Sequence, residues 1–123
     1  MMKKEVLINY SEGEGLETIE IKGKVVLRRL NFSEKNALEE ESTDIKFTGT
    51  TPIVRVSTSK LKEVSLLKGI DKCELTRTTY TEDRVSKAHM PVTLPYDLNI
   101  TGIKALPTEI GEQLFAEFTE LNT

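Results

Sequence analysis

The C-terminal segment from 106 to 122 constrains the fold most, because its pattern fits only one kind of element. Its large apolar residues recur at offsets of four, five, eight and eleven from the first, which places them on one face of an α-helix. Pro107 suits the first position of such a helix, where its missing N–H costs nothing. The residues of this face are Ile110, Leu114, Phe115, Phe118 and Leu121. The sequence predicts an amphipathic C-terminal helix that buries this face in the chain's own core or against a partner.

The composition narrows the classes of function. A chain of 123 residues with a net charge of -3 fits a single domain over 1–123 and argues against dedicated binding of nucleic acid. The single cysteine excludes an internal disulfide and fits a reducing compartment. Since no apolar run approaches the ~18 residues of a membrane span, and no signal-peptide core follows the N-terminus, we expect a cytoplasmic protein without a membrane partner.

The N-terminal part, 1–30, is typical of β-structure. Alternating apolar residues indicate strands at 5–10, 16–21 and 24–28, joined as a hairpin or meander. Turn residues separate these runs: the segment Ser11–Gly15 predicts one turn and Lys22–Gly23 a second.

The segment 31–70 predicts two helices with a β-like or loop connection. Ser33 is the expected N-cap of the first helix, with Phe32 packing against Ala37. One of the residues Ser57–Ser59 is the expected N-cap of the second helix, and Gly69 is its expected C-cap. The residue pattern of the connection between the two helices fits a β-hairpin and a flexible loop equally well.

The segment 71–98 predicts a strand near 73–80 followed by a long loop that contains Pro91 and Pro95. The last part, 99–123, is helical, with Asn99 or Thr101 capping a short helix before Pro107. The predicted fold class is α+β: an N-terminal hairpin or meander, then about three helices, the last of them amphipathic.

Side chains with catalytic or metal-binding potential are few. Cys73 and His89 would act as a nucleophile and its base only if the fold brought them together, and a buried thiol and a surface histidine are the simpler interpretation. The acids Glu39–Glu41 with Asp44 lack the alternating oxygen ligands of a calcium loop. We therefore expect no catalytic residue, no cofactor and no metal.

Basic residues and glycines near the N-terminus also have simple structural interpretations. The run Gly13–Gly15 lacks the third glycine of a dinucleotide-binding loop, so a hairpin turn explains it. Two sets of basic residues are interpreted as solvated surface, because no aromatic residues that could stack on nucleic-acid bases lie between them. They are Lys22, Lys24, Arg28 and Arg29, and Lys60, Lys62, Lys68 and Lys72.

The order of segments resembles the small tail assembly chaperones of long-tailed bacteriophages and prophages. In that family a short β segment leads into a leucine-arginine-x-leucine stretch and a helix, and the C-terminal helix opens with Leu-Pro and closes with Leu-Asn. The matching stretches are 26–41, 60–70, 103–115 and 120–122. The stretch 71–95 departs from the compact middle of the family.

The resemblance implies a non-enzymatic protein that binds the tape-measure protein, and also tail-tube subunits, before the tail is built. A homo-oligomer is compatible with such a role. The partner-binding residues would then be those of the C-terminal helix face, Ile110, Leu114, Phe115, Phe118 and Leu121. The alternatives are a small structural adaptor of a virion or tail, a general protein-interaction module, and an enzyme that uses Cys73 and His89.

Overall fold

A computed structural model describes residues 3–49 and 51–123, and for 44–48 and 53–56 it describes the backbone alone. The fold is α+β, as predicted, with antiparallel strands first and a C-terminal helix last. The strands are β1 (Lys3–Glu12), β2 (Ile19–Arg28), β3 (Thr43–Thr48), β4 (Thr51–Val56), β5 (Ile70–Glu82) and β6 (His89–Tyr96). The helices are α1 (Phe32–Glu41), α2 (Thr58–Gly69), α3 (Ile100–Lys104) and α4 (Thr108–Leu121), and a 3-10 turn covers Gly15–Glu17.

Four of the strands form one antiparallel sheet in the order β1-β2-β5-β6. Its first two strands are joined through the 3-10 turn, where Gly13 and Gly15 adopt the positive φ that glycine tolerates. Of the turn predicted at 11–15, the part from Gly13 is confirmed, whereas Ser11 and Glu12 belong to β1. Strands β3 and β4 pair separately as a two-stranded hairpin. Of the two interpretations of the link between α1 and α2, the hairpin is therefore correct.

The turn predicted at Lys22–Gly23 is wrong, because β2 continues through both residues. Gly23 has a φ of 139°, and a Cβ at this position would lie 1.9 Å from the backbone oxygen of Glu74. The glycine allows β2 and β5 to approach closely, which is the other common reason for glycine in a strand.

The long loop predicted within 71–98 is also wrong. The whole stretch is a hairpin in which β6 pairs with β5 from Leu75–Tyr96 to Glu82–His89. Pro91 and Pro95 suggested a loop, but β6 is an edge strand, where a residue without an N–H can face outward and leave the ladder intact. The strand near 73–80 is confirmed as part of β5.

The helix boundaries follow local capping. Asn31 caps helix α1: its side-chain oxygen accepts a hydrogen bond from the N–H of Glu34, and its own N–H donates to the Glu34 carboxylate. The prediction of Ser33 as N-cap with a packed Phe32 is therefore wrong, and Phe32 is 82% exposed. This reciprocal box satisfies two N–H groups, one more than a serine cap at position 33 would.

The other helix ends lie close to their predicted positions. Ser57 caps α2 and Asn99 caps α3. Helix α4 begins at Thr108, one residue after Pro107, as expected. Gly69 is the last residue of α2 and not its cap, and a Cβ there would lie 2.4 Å from the ring of Phe118. The glycine thus lets α2 approach α4.

The core lies between one face of the sheet and the helices. Helix α4 packs on β1 and β2, and α2 packs on β5, α1 and α4. Alternate side chains of each strand face the helices. Val6 and Ile8 do so in β1, and Val25 and Leu27 do so in β2. The remaining buried apolar residues are Ile21, Leu30, Leu38, Leu66, Leu75, Ile103, Ile110, Leu114 and Phe118.

Candidate protein-binding groove

The apolar face of α4 is divided between two environments. Ile110, Leu114 and Phe118 are 1%, 0% and 4% exposed and belong to the core. Phe115 and Leu121 are only partly buried. Ile110, Leu114 and Phe118 therefore lie in the chain's own core, one of the two environments that the sequence allowed for this face.

A groove of about 320 Å³ lies between α1, α2 and α4, beside the partly buried end of this face. Each helix contributes apolar side chains, and small hydroxyl side chains complete the lining. The lining residues are Leu30, Lys35, Leu38, Glu39, Leu61, Ser65, Phe115, Phe118, Thr119, Asn122 and Thr123. Such a concave apolar surface between helices is a common place for another helix or an apolar side chain to bind.

Ser65 lies at the buried side of the groove and is 0% exposed. Its Oγ has no hydrogen-bond partner in the part of the chain that the structure describes. An unsatisfied buried hydroxyl costs about 1–3 kcal/mol. The groove therefore has a mixed lining, apolar at its leucines and phenylalanines and polar at Lys35 and Glu39, above a buried hydroxyl group.

Asn122 holds one end of the groove in place. Its side-chain oxygen accepts a hydrogen bond from the N–H of Leu30 at 2.7 Å, and its side-chain nitrogen donates to the carbonyl of Phe118 at 3.0 Å. Lys35 of α1 donates to the Asn122 carbonyl at 3.1 Å. Asn122 thereby joins the end of α4 to the segment that leads into α1. Sequence reasoning noted the Leu-Asn ending of the chain but missed this role, and an asparagine directly after a predicted helix was the available signal.

Charged groups from α2 and α4 lie beside Phe115, one of the groove residues. Lys62 Nζ lies 2.6 Å from a carboxylate oxygen of Glu112 and 5.7 Å from the ring centroid of Phe115. The cation therefore restrains the partly buried phenylalanine from α2. Elsewhere, the Arg28 guanidinium and the N–H of Asn31 hold the pKa of the Glu34 carboxyl below its ordinary value, which strengthens the junction of β2 and α1.

Cys73 and His89 do not come together. Cys73 lies near the start of β5, whereas His89 pairs with Glu82 at the far end of the same strand. The nine residue-to-residue steps from Cys73 to Glu82 span about 30 Å of extended strand. Burial raises the pKa of the Cys73 thiol, and Sγ donates to the Tyr96 carbonyl at 3.4 Å. The structure therefore gives the Cys73–His89 enzyme hypothesis no site.

The sequence-predicted surface cations are largely engaged in ion pairs. Lys24 lies between Glu5 and Glu74, at 3.9 Å and 3.5 Å, on the face of the sheet away from the helices. Lys68 pairs with Glu41 at 3.3 Å. Asp44 lies among the residues whose side chains are not described. Among the described residues, no group of three histidine, cysteine or carboxylate side chains is placed to hold a metal ion.

Comparisons with known proteins give no information about what binds in the groove. No protein-family model, curated protein or solved structure matches the chain. Within the described residues, no helix is both long enough and apolar enough to cross a membrane.

Proposed function

We propose that this protein is a non-enzymatic tail assembly chaperone of a long-tailed bacteriophage or prophage. It binds an amphipathic helical segment of the tape-measure protein in the host cytoplasm while the tail is built, and tail-tube subunits are its second class of partner. The single observation that supports this function is the apolar groove between α1, α2 and α4, an open surface suited to a foreign helix.

The chemistry of the groove defines the segment it would accept. Leu38 of α1, Leu61 of α2 and Phe115 of α4 each add apolar surface to the lining. A helix with apolar residues at i, i+3/i+4 and i+7 would place one stripe against these three side chains. A tape-measure protein is a very long helix with such stripes, and its uncovered stripes would aggregate until the tail tube encloses them.

The substitution Thr119→Arg tests this site without disturbing the core. Thr119 is exposed, lines the groove and makes one side-chain hydrogen bond, to the Phe115 carbonyl at 2.9 Å. We expect the arginine to place a charge where the apolar stripe must bind and to weaken binding by at least about tenfold, since one desolvated charge costs more than 1.4 kcal/mol. Co-purification with the tape-measure and tail-tube proteins of the same gene cluster measures the effect.

Ala116→Arg is the matched control. Ala116 is exposed on the same helix but does not line the groove, and its substitution adds the same charge. This variant should bind as the parent does, and both variants should keep the parental thermal midpoint. Equal binding by Thr119→Arg and the parent, or equal loss in both variants, would exclude the groove as the binding site.

A further inference from the structure

The two edges of the four-stranded sheet differ in how open they are to an added strand. On the β6 edge, Pro91 and Pro95 have no N–H, so this edge lacks two of the donors that an added strand would need. On the opposite edge, strand β1 (Lys3–Glu12) contains no proline. The β1 edge therefore offers an uninterrupted row of main-chain groups.

The pairing across the sheet shows which groups of β1 face outward. Because the two prolines of β6 cannot donate, their positions are the ones that exchange no hydrogen bonds with β5, and the bonded positions alternate along each pair of strands. Carried through the registers of β5 and β2, this alternation directs the N–H and C=O of Ile8 toward β2 and those of Leu7 outward. The side-chain nitrogen of Gln113 on α4 donates to the Leu7 carbonyl at 3.3 Å, which agrees with this assignment. The residues of β1 whose main-chain groups face outward are Lys3, Glu5, Leu7, Asn9 and Ser11.

The side chains beside this edge differ between the two faces of the sheet. On the face away from the helices, Leu7 is 71% exposed and offers an apolar contact to a neighbouring strand. On the helix face, a cavity of about 430 Å³ lies between the end of β1 and the start of α4, and Tyr10, Glu12 and Glu109 are among its lining residues. Neither carboxylate forms an ion pair with any side chain that the structure describes.

The unbalanced charge beside the edge is negative. The Tyr10 hydroxyl donates to Glu12 at 2.8 Å. This hydrogen bond, with smaller contributions from desolvation and from the charges of Glu12 and Glu109, raises the pKa of Tyr10 to about 12. At the other end of the strand, Lys4 lies between two glutamates of α4, so its charge is already balanced. A strand added along β1 would therefore meet two carboxylates that have no cation.

We propose that the β1 edge binds an extended segment of a partner protein in which basic and apolar residues alternate. The segment pairs with the outward main-chain groups of β1 and becomes the new edge strand of the sheet. Its apolar side chains lie beside Leu7, and its basic side chains, on the helix face, reach Glu12 and Glu109. A second copy of the chain fits this edge less well, because the cations of its own β1, Lys3 and Lys4, are already paired.

The proposal is tested by fluorescence anisotropy with the full-length chain and a short fluorescein-labelled peptide of alternating valine and lysine. A peptide of the same composition, with its valines and lysines in separate blocks, keeps the charge and loses the alternation, and it should bind at least about tenfold more weakly. Glu109→Lys should weaken binding of the alternating peptide by a similar factor, because it places a cation where a lysine of the peptide must bind. Glu40→Lys is the matched control, since Glu40 is exposed on α1, which packs on α2. Equal binding of the two peptides, or equal effects of the two substitutions, would overturn the proposal.

Amide hydrogen exchange measured by NMR locates the bound peptide. The N–H groups of Leu7 and Asn9 should exchange more slowly in the complex, whereas that of Ile8, which already bonds to β2, should change little. Unchanged exchange at Leu7 and Asn9 in the complex would rule out strand addition at this edge. Slow exchange of these amides in the free chain, together with sedimentation as a dimer, would assign the edge to a second copy and would also overturn the proposal. The groove between α1, α2 and α4 is separate from this edge, so Thr119→Arg should not affect binding of the peptide, and either proposal can fail alone.

Discussion

The two ends of the same sheet differ in what covers them. In β2, Val25 and Leu27 are both 0% exposed beneath the helices, whereas Leu94 in β6 is 62% exposed on the same face of the sheet. Both strands place apolar residues on alternate positions. Their environments differ because α4 packs on β1 and β2 and α2 packs on β5, whereas β6 is the edge strand of the sheet. Ile21 of β2 lies level with Leu94 along the strands and is only 2% exposed. Alternation therefore identifies the apolar face of a strand, and the position of the strand relative to the helices determines how much of that face is buried.

Of the substitutions considered in the part of the sheet that the helices cover, Gly23→Ala should destabilise the fold most. The added Cβ would lie 1.9 Å from the backbone oxygen of Glu74, and φ at Gly23 is 139°. Since the clashing atom belongs to the ladder between β2 and β5, it cannot move without breaking pairing. We expect little or no folded protein, measured by circular dichroism and solubility after expression.

The variant Gly49→Ala measures the cost of a positive φ without the steric clash that is expected at Gly23. Gly49 has a φ of 65°, but nothing lies within 4 Å of the added Cβ. Its cost should be about 1–2 kcal/mol, the cost of the left-handed conformation alone. If both variants unfold to the same degree, the close approach of β2 and β5 is not what Gly23 provides.

The second prediction compares two phenylalanines of α4. Phe118 is 4% exposed and its ring abuts Gly69, so Phe118→Ala should destabilise the fold by about 3–5 kcal/mol. Phe115 is partly buried at the groove, so Phe115→Ala should cost about 1 kcal/mol. Urea denaturation of both variants measures the difference. Equal costs would mean that the two rings share one environment, as their spacing in the sequence alone suggests.

The sequence predicted α4 closely because three local signals agree there. The proline at the start, the spacing of the apolar residues and the early Glu109 all favour the same helix, which begins one residue after Pro107. For β6 the local signals conflict. Pro91 and Pro95 favour a loop, and only the edge position in the sheet makes them compatible with a strand. Position in a sheet depends on residues far away in the sequence, so no local pattern reveals it.

The candidate site was only partly predictable for a related reason. Helical spacing placed Ile110 and Phe115 on one apolar face, but the spacing carries no information about which part of that face other elements cover. The groove arises where α1 and α2 meet α4, and its position depends on contacts such as the one between Lys35 and Asn122. Ser65, whose buried Oγ has no hydrogen-bond partner among the described residues, has no sequence signature that separates it from any other helical serine.

The smallest effect on monomer stability should come from the uncovered end of the sheet. At 62% exposure, Leu94 loses little buried area on truncation, so Leu94→Ala should change the free energy of unfolding by no more than about 0.5 kcal/mol. Leu75→Ala is the control in the same hairpin: Leu75 is 3% exposed, and its truncation should cost about 2–5 kcal/mol. A cost at Leu94 that matches the cost at Leu75 would mean that the far end of the hairpin is covered within the monomer, and the contrast between the two ends of the sheet would be wrong.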